Sequence, residues 1–519
     1  MARTTYKLEQ FYVPLSQKDN IPKVIANIAG CEIFDAHIER LALDCRRKGN
    51  PSYVCNAIFS AEKKLNLTPC LGEIPKSSNT KTLLEKHKKN ESLPSEVSIV
   101  GAGPAGLWAA YALLLNGHKV NLYEQGKAVE ERFRDIRRFL KAGIFLEHSN
   151  IFFGEGGAGA FSDGKLNTRS RTEFSQAVLG DIINLGAPKE IAYLSKPHIG
   201  TDRLQFLLKK MRMLILELGG KIHFESCLQD ISTSNSCLNA ICINKKWLPC
   251  EALALATGHS ARNIYDMLYA HGVALEGKSF AVGARIEHPQ SFINEIRFGK
   301  GVDCKLTGAA DYTLTGKTAY SFCMCPGGVV VPCASEPNGI TLNGMSYSRR
   351  NSPFANSALA VPRSIDKNDI KSAVAFQRQL EQAAFEAAGK NFSVPAQTAS
   401  NFLEKKVDKI LPKSSSLREL ANCNLWDLIP EDICFALETS LYEFEKKMPG
   451  FIKNGLLIAP ETRTSAPLRI VRKENGESVS VGGIYPIGEG AGYAGGILTS
   501  AADGIRMALI TDRLKISIF

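Results

Sequence analysis

The sequence predicts an α/β fold in which one discontinuous domain is interrupted by an inserted mixed α/β domain and preceded by a small α+β domain. Two glycine-rich turns, 101–106 and 488–496, each lead into an apolar helix although nearly 400 residues separate them. A chain of 519 residues, 44% of them hydrophobic, also exceeds what one core can organise. We expect a small domain at 1–72, a polar linker at 73–95, the discontinuous domain at 96–275 and 456–519, and the insertion at 276–455.

Composition and charge narrow the class of protein. The net charge of +11 is compatible with anionic ligands such as phosphates, but it does not by itself indicate nucleic acid. The chain has no apolar run of about 18 residues, so we expect no membrane-spanning helix and no membrane partner. The first twenty residues lack a signal-peptide pattern, and the fourteen cysteines form no regular framework. We therefore expect free thiols in a reducing cytoplasm.

The first 72 residues are typical of a small α+β domain. Strands are predicted at KLEQFYVPL, IERLALDC and SYVCNAIFSA, and a short helix at NIPKVIANIAG. The basic cluster Arg46, Arg47 and Lys48 is either a solvated turn or a contact for an anion or RNA. The following segment, 73–95, is polar and lysine-rich, so it is predicted to be a linker that does not fold alone.

Residues 97–124 carry the strongest motif. The apolar strand 97–100 runs into Gly101, Gly103 and Gly106, a helix follows at 107–115, and a second strand ends at Glu124. In such a Rossmann-type βαβ unit the first glycine permits the tight turn. The second admits a pyrophosphate to the backbone, and the third lets helix and strand pack closely. Glu124 is placed to accept hydrogen bonds from both ribose hydroxyls of a dinucleotide, but the motif alone does not distinguish FAD from NAD.

Two further glycine-rich segments favour FAD. Residues 154–166, GEGGAGAFSDGKL, would let the backbone lie against a large planar or anionic group. Residues 485–497, YPIGEGAGYAGGI, form another glycine-rich turn before a helix of small residues at 498–508. The turns at 101–106 and 485–497, here called the two glycine cradles, lie at opposite ends of an insertion. Such a pair suits a long dinucleotide better than one NAD half-site, which predicts FAD as the cofactor.

A family resemblance is carried by eight segments between residues 97 and 510: GAGPAGLWAA, GEGGAGAFSDGKL, ATGHSARNIY, FAVGARIEHPQ, SFCMCPGG, SPFANS, ETRTSAPLRI and YPIGEGAGYAGGI. Together they resemble a largely uncharacterised bacterial family of FAD-dependent dehydrogenases within the glutathione-reductase-like flavoprotein superfamily. LALDCRRKGNPSYV in turn resembles the small accessory domain of that family. The resemblance implies a Rossmann-like FAD-binding domain and an FAD-dependent oxidoreductase.

The resemblance also implies which residues hold the cofactor. Leu228 would meet the adenine through its backbone, and the loop containing Gly156, Gly157 and Ser162 would lie near the ribityl chain and the isoalloxazine ring. The position of Glu489 is often Asp in this family. The implied FAD contacts are Gly101, Gly103, Pro104, Ala105, Gly106, Glu124, Gln125, Gly156, Gly157, Ser162, Leu228, Thr257, Gly258, Gly488, Glu489, Gly492, Gly495, Gly496 and Ile497.

Cys323 and Cys325 are the candidates for catalysis within the insertion. Two thiols at positions i and i+2 of an extended segment point the same way and could pass electrons to a flavin by thiol–disulfide chemistry. The alternative is that both are small buried side chains before a Pro-Gly turn, since free cysteine is among the most buried residues. With Cys333 they lack an obvious fourth ligand for zinc, so no metal is predicted.

Other polar side chains of the insertion have weaker signals. Arg285 and Glu287 share one face of the strand FAVGARIEH, so a pairing between them would account for both. His288 is either an acid–base group or a structural residue. Candidates for lining an anionic substrate pocket are Tyr347, Arg349, Arg350, Asn351 and Arg463.

Only one complete strand–glycine turn–helix–acid unit is found in the sequence. We therefore expect that a small organic substrate reduces FAD directly or that NAD(P)H docks transiently at the flavin. The predicted function is that of an FAD-dependent dehydrogenase or reductase. The alternatives are a flavin-dependent protein that modifies RNA or senses redox state, motivated by the basic N-terminal domain, and a plain NAD(P)-binding oxidoreductase.

Overall fold

The N-terminal domain contains the four predicted elements. The computed structural model describes residues 3–67, 69–70, 78–166 and 172–509 of the chain. The first elements are β1 (Thr4–Val13), α1 (Ile21–Ala29), β2 (Phe34–Asp44) and β3 (Ser52–Ala61). The strands pair antiparallel in the order β1-β3-β2. Helix α1 ends at Gly30, whose φ of +64° suits a glycine, and it buries Ile21 and Ile25 in a core with Phe59.

The N-terminal domain is docked on the rest of the chain through backbone hydrogen bonds. The Leu41 N–H of β2 donates to the Tyr193 carbonyl at 2.8 Å, and the Leu41 carbonyl accepts from the Ser195 N–H at 2.9 Å. In the turn between β2 and β3, the Gly49 N–H donates to the Phe298 carbonyl at 2.6 Å. The domain is therefore fixed at two separate points.

The described part of the expected linker differs from the prediction. Residues 78–95 include α2 (Thr80–Leu84), whose N-terminus is capped by a reciprocal capping box between Asn79 and Thr82. Thr80 donates from its backbone and its hydroxyl to Asp181, and Leu83 lies in the main core. The prediction failed because a polar composition concealed a capped helical turn with one apolar anchor. Residues 73–77 of this segment lie outside the described residues.

The central domain is built on a five-stranded parallel sheet. Its elements, in chain order, are β4 (Glu96–Val100), α3 (Pro104–Leu115), β5 (Lys119–Tyr123), α4 (Val129–Ala142), α5 (Glu173–Asn184), α6 (Thr201–Glu217), β6 (Lys221–His223), β7 (Leu228–Ser234), β8 (Cys237–Ile243), β9 (Lys246–Pro249), β10 (Leu253–Leu255), α7 (Arg262–Ala270) and β11 (Leu275–Gly277). Strands β4, β5, β6 and β10 pair in parallel, while β7, β8 and β9 form a separate antiparallel sheet.

The insertion forms a second, mostly antiparallel sheet with helices packed against it. Its elements are β12 (Phe280–Pro289), α8 (Gln290–Phe298), α9 (Cys304–Thr307), β13 (Tyr320–Cys325), β14 (Val329–Cys333), β15 (Thr341–Met345), β16 (Phe354–Arg363), α10 (Ser372–Ala387), β17 (Val394–Thr398), α11 (Ala399–Glu404), β18 (Leu420–Asn422), α12 (Glu431–Lys447) and β19 (Leu456–Glu461). The strand order is β13-β16-β12-β19-β17-β18, and β14 pairs with β15 as a separate hairpin. Helix α12 buries Leu437, Leu441 and Phe444 in the core beneath this sheet.

The end of the insertion lies later than the sequence predicted. The boundary at 455 assigned residues 456–461 to the central domain, but β19 is an inner strand of the inserted sheet, between β12 and β17. The apolar run LLIAPE fits a buried strand of either sheet, so its pattern could not decide between them.

The chain returns to the central domain after β19. Its last elements are β20 (Leu468–Ile470), β21 (Ile484–Pro486) and α13 (Ile497–Met507). Strand β21 adds to the parallel sheet beside β10, which gives the order β21-β10-β4-β5-β6. The central domain is thus discontinuous in sequence, with the insertion between its two parts, as predicted.

Two negative findings concern the described residues only. Over 3–67, 69–70, 78–166 and 172–509, no helix combines the length and apolar character needed to cross a bilayer. Over the same ranges, no group of three or more His, Cys, Asp or Glu side chains is arranged to hold a metal ion.

Candidate functional site

The first glycine cradle joins β4 to α3. Gly101 has a φ of +106°, and a Cβ there would lie 2.3 Å from the Ala256 carbonyl oxygen. A Cβ at Gly106 would lie 1.9 Å from the Gly101 carbonyl oxygen, so both positions require glycine for backbone packing. Gly103 differs, because the nearest atom to a Cβ there is the Gly157 Cα at 3.9 Å. The N-terminus of α3 therefore begins beside open space.

Glu124 ties three segments together at the end of β5. It is 5% exposed and accepts hydrogen bonds from the N–H groups of Ala102 at 2.8 Å, Gly126 at 2.9 Å and Gly154 at 2.9 Å. Two of these donors reach Oε1 and one reaches Oε2. A carboxylate offers about four acceptor sites, so Glu124 retains room for one ribose hydroxyl rather than for both.

Arg132 holds the start of the second glycine loop, residues 154–166, through hydrogen bonds to backbone carbonyl groups. Its guanidinium is fully buried and donates to four carbonyl oxygens, those of Asn150, Ile151, Gly154 and Glu155. Burial lowers the pKa of Arg132 to about 10, which leaves it charged at neutral pH. Its role was not predicted from the sequence, since an arginine on the amphipathic helix α4 gives no signal that it points inward.

The far cradle forms the turn before α13. The Gly488 N–H donates to Asp503 Oδ2 at 2.8 Å, and the buried Tyr265 hydroxyl donates to the Gly490 carbonyl at 2.8 Å. Burial raises the pKa of Glu489 to about 7, against a smaller opposing effect of Lys278. The turn thus brings one weakly acidic carboxyl and a helix N-terminus to the same place.

A cavity of about 460 Å³ connects the two cradles, a volume in the range of small-molecule and cofactor sites. The predicted cofactor residues in its lining are Gly101, Gly103, Pro104, Ala105, Glu124, Gln125, Gly157, Ser162, Leu228, Thr257, Gly258, Glu489, Gly495, Gly496 and Ile497. Residues from β4, the glycine loop, the segment that follows β10, the insertion and α13 therefore meet around one space.

Four predicted cofactor residues lie behind the lining: Gly106, Gly156, Gly488 and Gly492. At each of these positions, packing within the protein leaves no room for a Cβ. A Cβ at Gly156 would lie 2.3 Å from Leu208 Cδ1, and one at Gly488 would lie 2.6 Å from Ala105 Cβ. These glycines shape the cradles without facing the cavity.

Cys323 lies in the cavity lining and Cys325 lies just outside it. Cys325 is fully buried, and its thiol donates to the Cys323 carbonyl at 3.3 Å. Between Phe322 and Cys325 the pairing of β13 with β16 shifts register, and Cys323 has a φ of +45°. Lys165 of the glycine loop lies against both sulfur atoms, an arrangement that was not predicted although the loop itself was recognised.

Arg463 lines another part of the cavity. Its Nε and Nη2 donate to Glu381 at 2.9 and 2.7 Å, but its buried Nη1 has no partner among the described residues. His259, also in the lining, has its pKa lowered to about 3 by burial and by the neighbouring Arg463, so it is neutral. Of the candidates for an anionic pocket, only Arg463 lines the cavity; Tyr347, Arg349, Arg350 and Asn351 do not.

The expected pairing of Arg285 with Glu287 is wrong. Arg285 instead makes two hydrogen bonds of 2.7 Å to Glu461 of β19, while Glu287 accepts from the Ser415 N–H at 3.1 Å. His288 is fully buried, bonds through Nε2 to the Phe451 carbonyl at 2.8 Å, and lies outside the cavity lining. Burial lowers its pKa to about 4. His288 is thus a structural residue.

Comparisons with known proteins identify both parts of this architecture. Residues 279–464 match the family model described as FAD-dependent protein, C-terminal domain-like, and residues 99–141 match that of an NAD(P)-binding Rossmann-like domain. A protein of Clostridium beijerinckii (strain ATCC 51743 / NCIMB 8052), described as uncharacterized, is 39% identical over 503 residues, which cover 93% of each chain. The first family match coincides with the insertion as the structure bounds it.

The solved structures that match this chain do so at low identity and low TM-score. Glycine oxidase from Bacillus cereus ATCC 14579 is 12% identical, with a TM-score of 0.31 over 80% of this chain and 93% of that one. L-proline dehydrogenase from P. horikoshii is 12% identical, with a TM-score of 0.35 over 82% and 96%. CtdE in complex with FAD is 13% identical, with a TM-score of 0.31 over 79% and 81%.

Proposed function

Because this chain belongs to a family of FAD-dependent oxidoreductases, we propose that it is a dehydrogenase or reductase of a small organic molecule, with FAD bound between the two glycine cradles. The observation that carries the proposal is the single cavity, which extends from the first cradle to Cys323 in the insertion. A cofactor held by the central domain would thereby meet a substrate shaped by the insertion.

The residues around the cavity suit FAD. Two helix N-termini, those of α3 and α13, border it and offer free N–H groups to a pyrophosphate. Gly495 has an ordinary φ, and a Cβ added there would meet no atom of the described residues within 4 Å, so no contact within that part of the chain requires glycine at this position. A ligand that lies directly on the backbone would explain why glycine stands at this position, and the same explanation applies to Gly103.

Bound FAD supplies two-electron redox chemistry, and the residues of the chain orient the substrate and exchange protons with it. Glu489, with a pKa of about 7, is protonated in about half of the molecules at neutral pH, so it is suited to give or take a proton at the wall of the cavity. Arg463 lines the cavity, and a guanidinium there is suited to an oxyanion, which favours a substrate that carries a carboxylate or a similar group. Electrons reach the flavin from this substrate or from transiently docked NAD(P)H.

Association with RNA gains no support from the N-terminal domain. Arg46 of the basic cluster is paired with Asp44, with Nη2 at 2.7 Å from Oδ2, so part of its positive charge is already neutralised. The same turn is occupied by its backbone contact with Phe298. We therefore keep a small molecule as the proposed substrate.

The test begins with the absorbance spectrum of the purified protein. We expect flavin bands, or their appearance on reconstitution with FAD, followed by anaerobic bleaching with NADH, NADPH or a member of a panel of organic acids and amino acids. A protein that neither contains nor takes up FAD would overturn the proposal. Bleaching by one donor and by none of the others would identify the class of substrate.

A further inference from the structure

A partly buried cation is in contact with both thiols of the insertion. Lys165 Nζ lies 3.7 Å from Cys323 Sγ and 3.6 Å from Cys325 Sγ, and 3.2 Å from Asp163 Oδ2. Lys165 comes from the glycine loop of the central domain, whereas the cysteines come from β13. The contact therefore forms only when the insertion and the central domain are assembled.

The charges around the two sulfur atoms do not balance without a further anion. Arg285 is neutralised by Glu461, and Arg350 by Asp163, which Lys165 must share. Three cations thus face two carboxylates. An unbalanced charge in a buried site is costly, and a nearby group changes its protonation state to remove it.

The other titratable groups facing this site add no charge at pH 6. Burial lowers the pKa of His198 to about 4 and raises that of Glu489 to about 7, and it raises the pKa of Tyr312, so all three are neutral at that pH. The missing negative charge is then available from one thiolate.

Cys323 is the thiol placed to supply it. Cys323 lines the cavity, while Cys325 is fully buried and retains a proton that it donates to a carbonyl. The adjacent Cys325 thiol, which can turn its proton from the Cys323 carbonyl to Cys323 Sγ, and attraction from Lys165 and Arg285 together lower the pKa of Cys323 well below its ordinary value of 9.0. The hydrogen bond to Cys323 Sγ and burial raise the pKa of Cys325 well above that value.

We propose that Lys165 holds Cys323 as a thiolate and that Cys323 and Cys325 form a reversible dithiol–disulfide pair that exchanges two electrons with FAD. The inference rests on the proposed function in that FAD occupies the cavity. In the oxidising direction the Cys325 S–H bond breaks and an Sγ–Sγ bond forms. The two electrons and the Cys325 proton pass to oxidised FAD, so the single negative charge moves from the thiolate to the reduced flavin.

The thiolate is tested by alkylation of the full-length protein with iodoacetamide between pH 5 and 9, followed by peptide mapping. We expect Cys323 to react at pH 6 within about threefold of its rate at pH 8, whereas the exposed Cys237 should slow roughly tenfold per pH unit, as ordinary thiols do. Parallel behaviour of Cys323 and Cys237 would overturn the proposal.

Variants of Lys165 identify the source of the effect. Lys165→Met should slow alkylation of Cys323 at pH 6 by about tenfold or more, and Lys165→Arg should retain most of the rate, since the charge is kept. Lys127→Met is the matched control, because Lys127 pairs with Asp135 away from the cluster. Should Lys165→Met fail to fold, the absorbance at 240 nm of wild type minus Cys323→Ser at pH 6 still tests for the thiolate itself; no thiolate band in that difference would contradict the proposal.

The redox pair is tested by the electron capacity of the FAD-loaded protein. After mild oxidation with diamide, anaerobic titration with dithionite should consume two equivalents per FAD in wild type and one in Cys325→Ser. One equivalent in both proteins would overturn the exchange with FAD. Because dithionite needs no substrate, that failure would leave the proposed function standing, and absence of FAD would overturn the function without affecting the alkylation result.

Discussion

Gly504 of α13 packs so closely on Ala105 of α3 that a Cβ at position 504 would lie 2.1 Å from the Ala105 carbonyl oxygen. This contact joins the two cradles, since α3 begins in one and α13 in the other. Gly504→Ala should destabilise the FAD-free protein by about 1–3 kcal/mol, because overpacking against backbone outweighs the gain of about 1 kcal/mol in helix propensity. Urea unfolding measures the change, and a more stable variant would contradict the packing.

Gly495→Ala is the complementary substitution. Gly495 has room for a methyl group and an ordinary φ, so the FAD-free protein should keep its stability within about 0.5 kcal/mol. If FAD lies on this backbone, the methyl group should weaken FAD binding about tenfold or more. Fluorescence titration with FAD checks this, and unchanged binding would exclude contact at Gly495.

Glu124→Gln tests the end of the cradle that we assign to the ribose. The amide can accept at one end only, and its NH₂ group would face an N–H that the carboxylate now satisfies. We expect a loss of about 1–3 kcal/mol in the free energy of unfolding together with weaker FAD binding. Glu96→Gln, on an exposed residue of β4, is the control and should change neither quantity. Equal effects of the two substitutions would refute the assignment.

Arg132→Met removes the donor that holds the second glycine loop. Four carbonyl oxygens would lose a hydrogen bond in a buried place, and among the described residues only that of Gly154 would keep another donor, the Gly157 N–H; we expect a loss of about 3 kcal/mol or more in unfolding free energy. Arg134→Met on the exposed face of the same helix should change stability by less than about 0.5 kcal/mol. Similar stability for the two variants would show that the loop is held by other contacts.

The sequence predicted the parts of the site whose reasons are local. The positive φ of Gly101 and the close contact of Gly106 with the Gly101 carbonyl are matters of short-range backbone geometry, which a single segment displays. The partner of Arg285 could not be predicted, because alternation along a strand shows which side chains share a face but not which strand lies beside it. Glu461 is 176 residues away and reaches Arg285 only through the pairing of β19 with β12.

The same distinction applies to Lys165 and Arg132. Lys165 lies in a loop that the sequence predicts to contact the cofactor, and Arg132 follows the βαβ unit closely, yet their partners come from other parts of the fold. A lysine in a glycine loop and an arginine on an amphipathic helix are ordinarily solvated, and only tertiary packing turns them inward. Residues that fix a site in place or set its charge are therefore harder to predict than residues that shape its backbone.

Glu489 provides a prediction whose sign depends on pH. Its pKa rises from an ordinary 4.5 to about 7 because burial opposes ionisation, so the folded state binds a proton that the unfolded state has released between these values. The stability due to this proton is complete below pH 4.5 and is lost as the pH rises through 7. Glu489→Gln cannot ionise. The difference in unfolding free energy between this variant and wild type should therefore favour the variant by about 3 kcal/mol more above pH 7 than at pH 4.5.

Urea unfolding of the FAD-free wild type and Glu489→Gln at several pH values from 4.5 to 8 measures this difference. Glu155, whose pKa burial also raises to about 7, titrates in the same range, but it is present in both proteins and cancels in the comparison. Glu474→Gln, at an exposed position, is the control for replacing a carboxylate by an amide. A flat difference for Glu489→Gln would mean that this carboxyl ionises freely, and it could not then be the group that holds a proton beside the flavin at neutral pH.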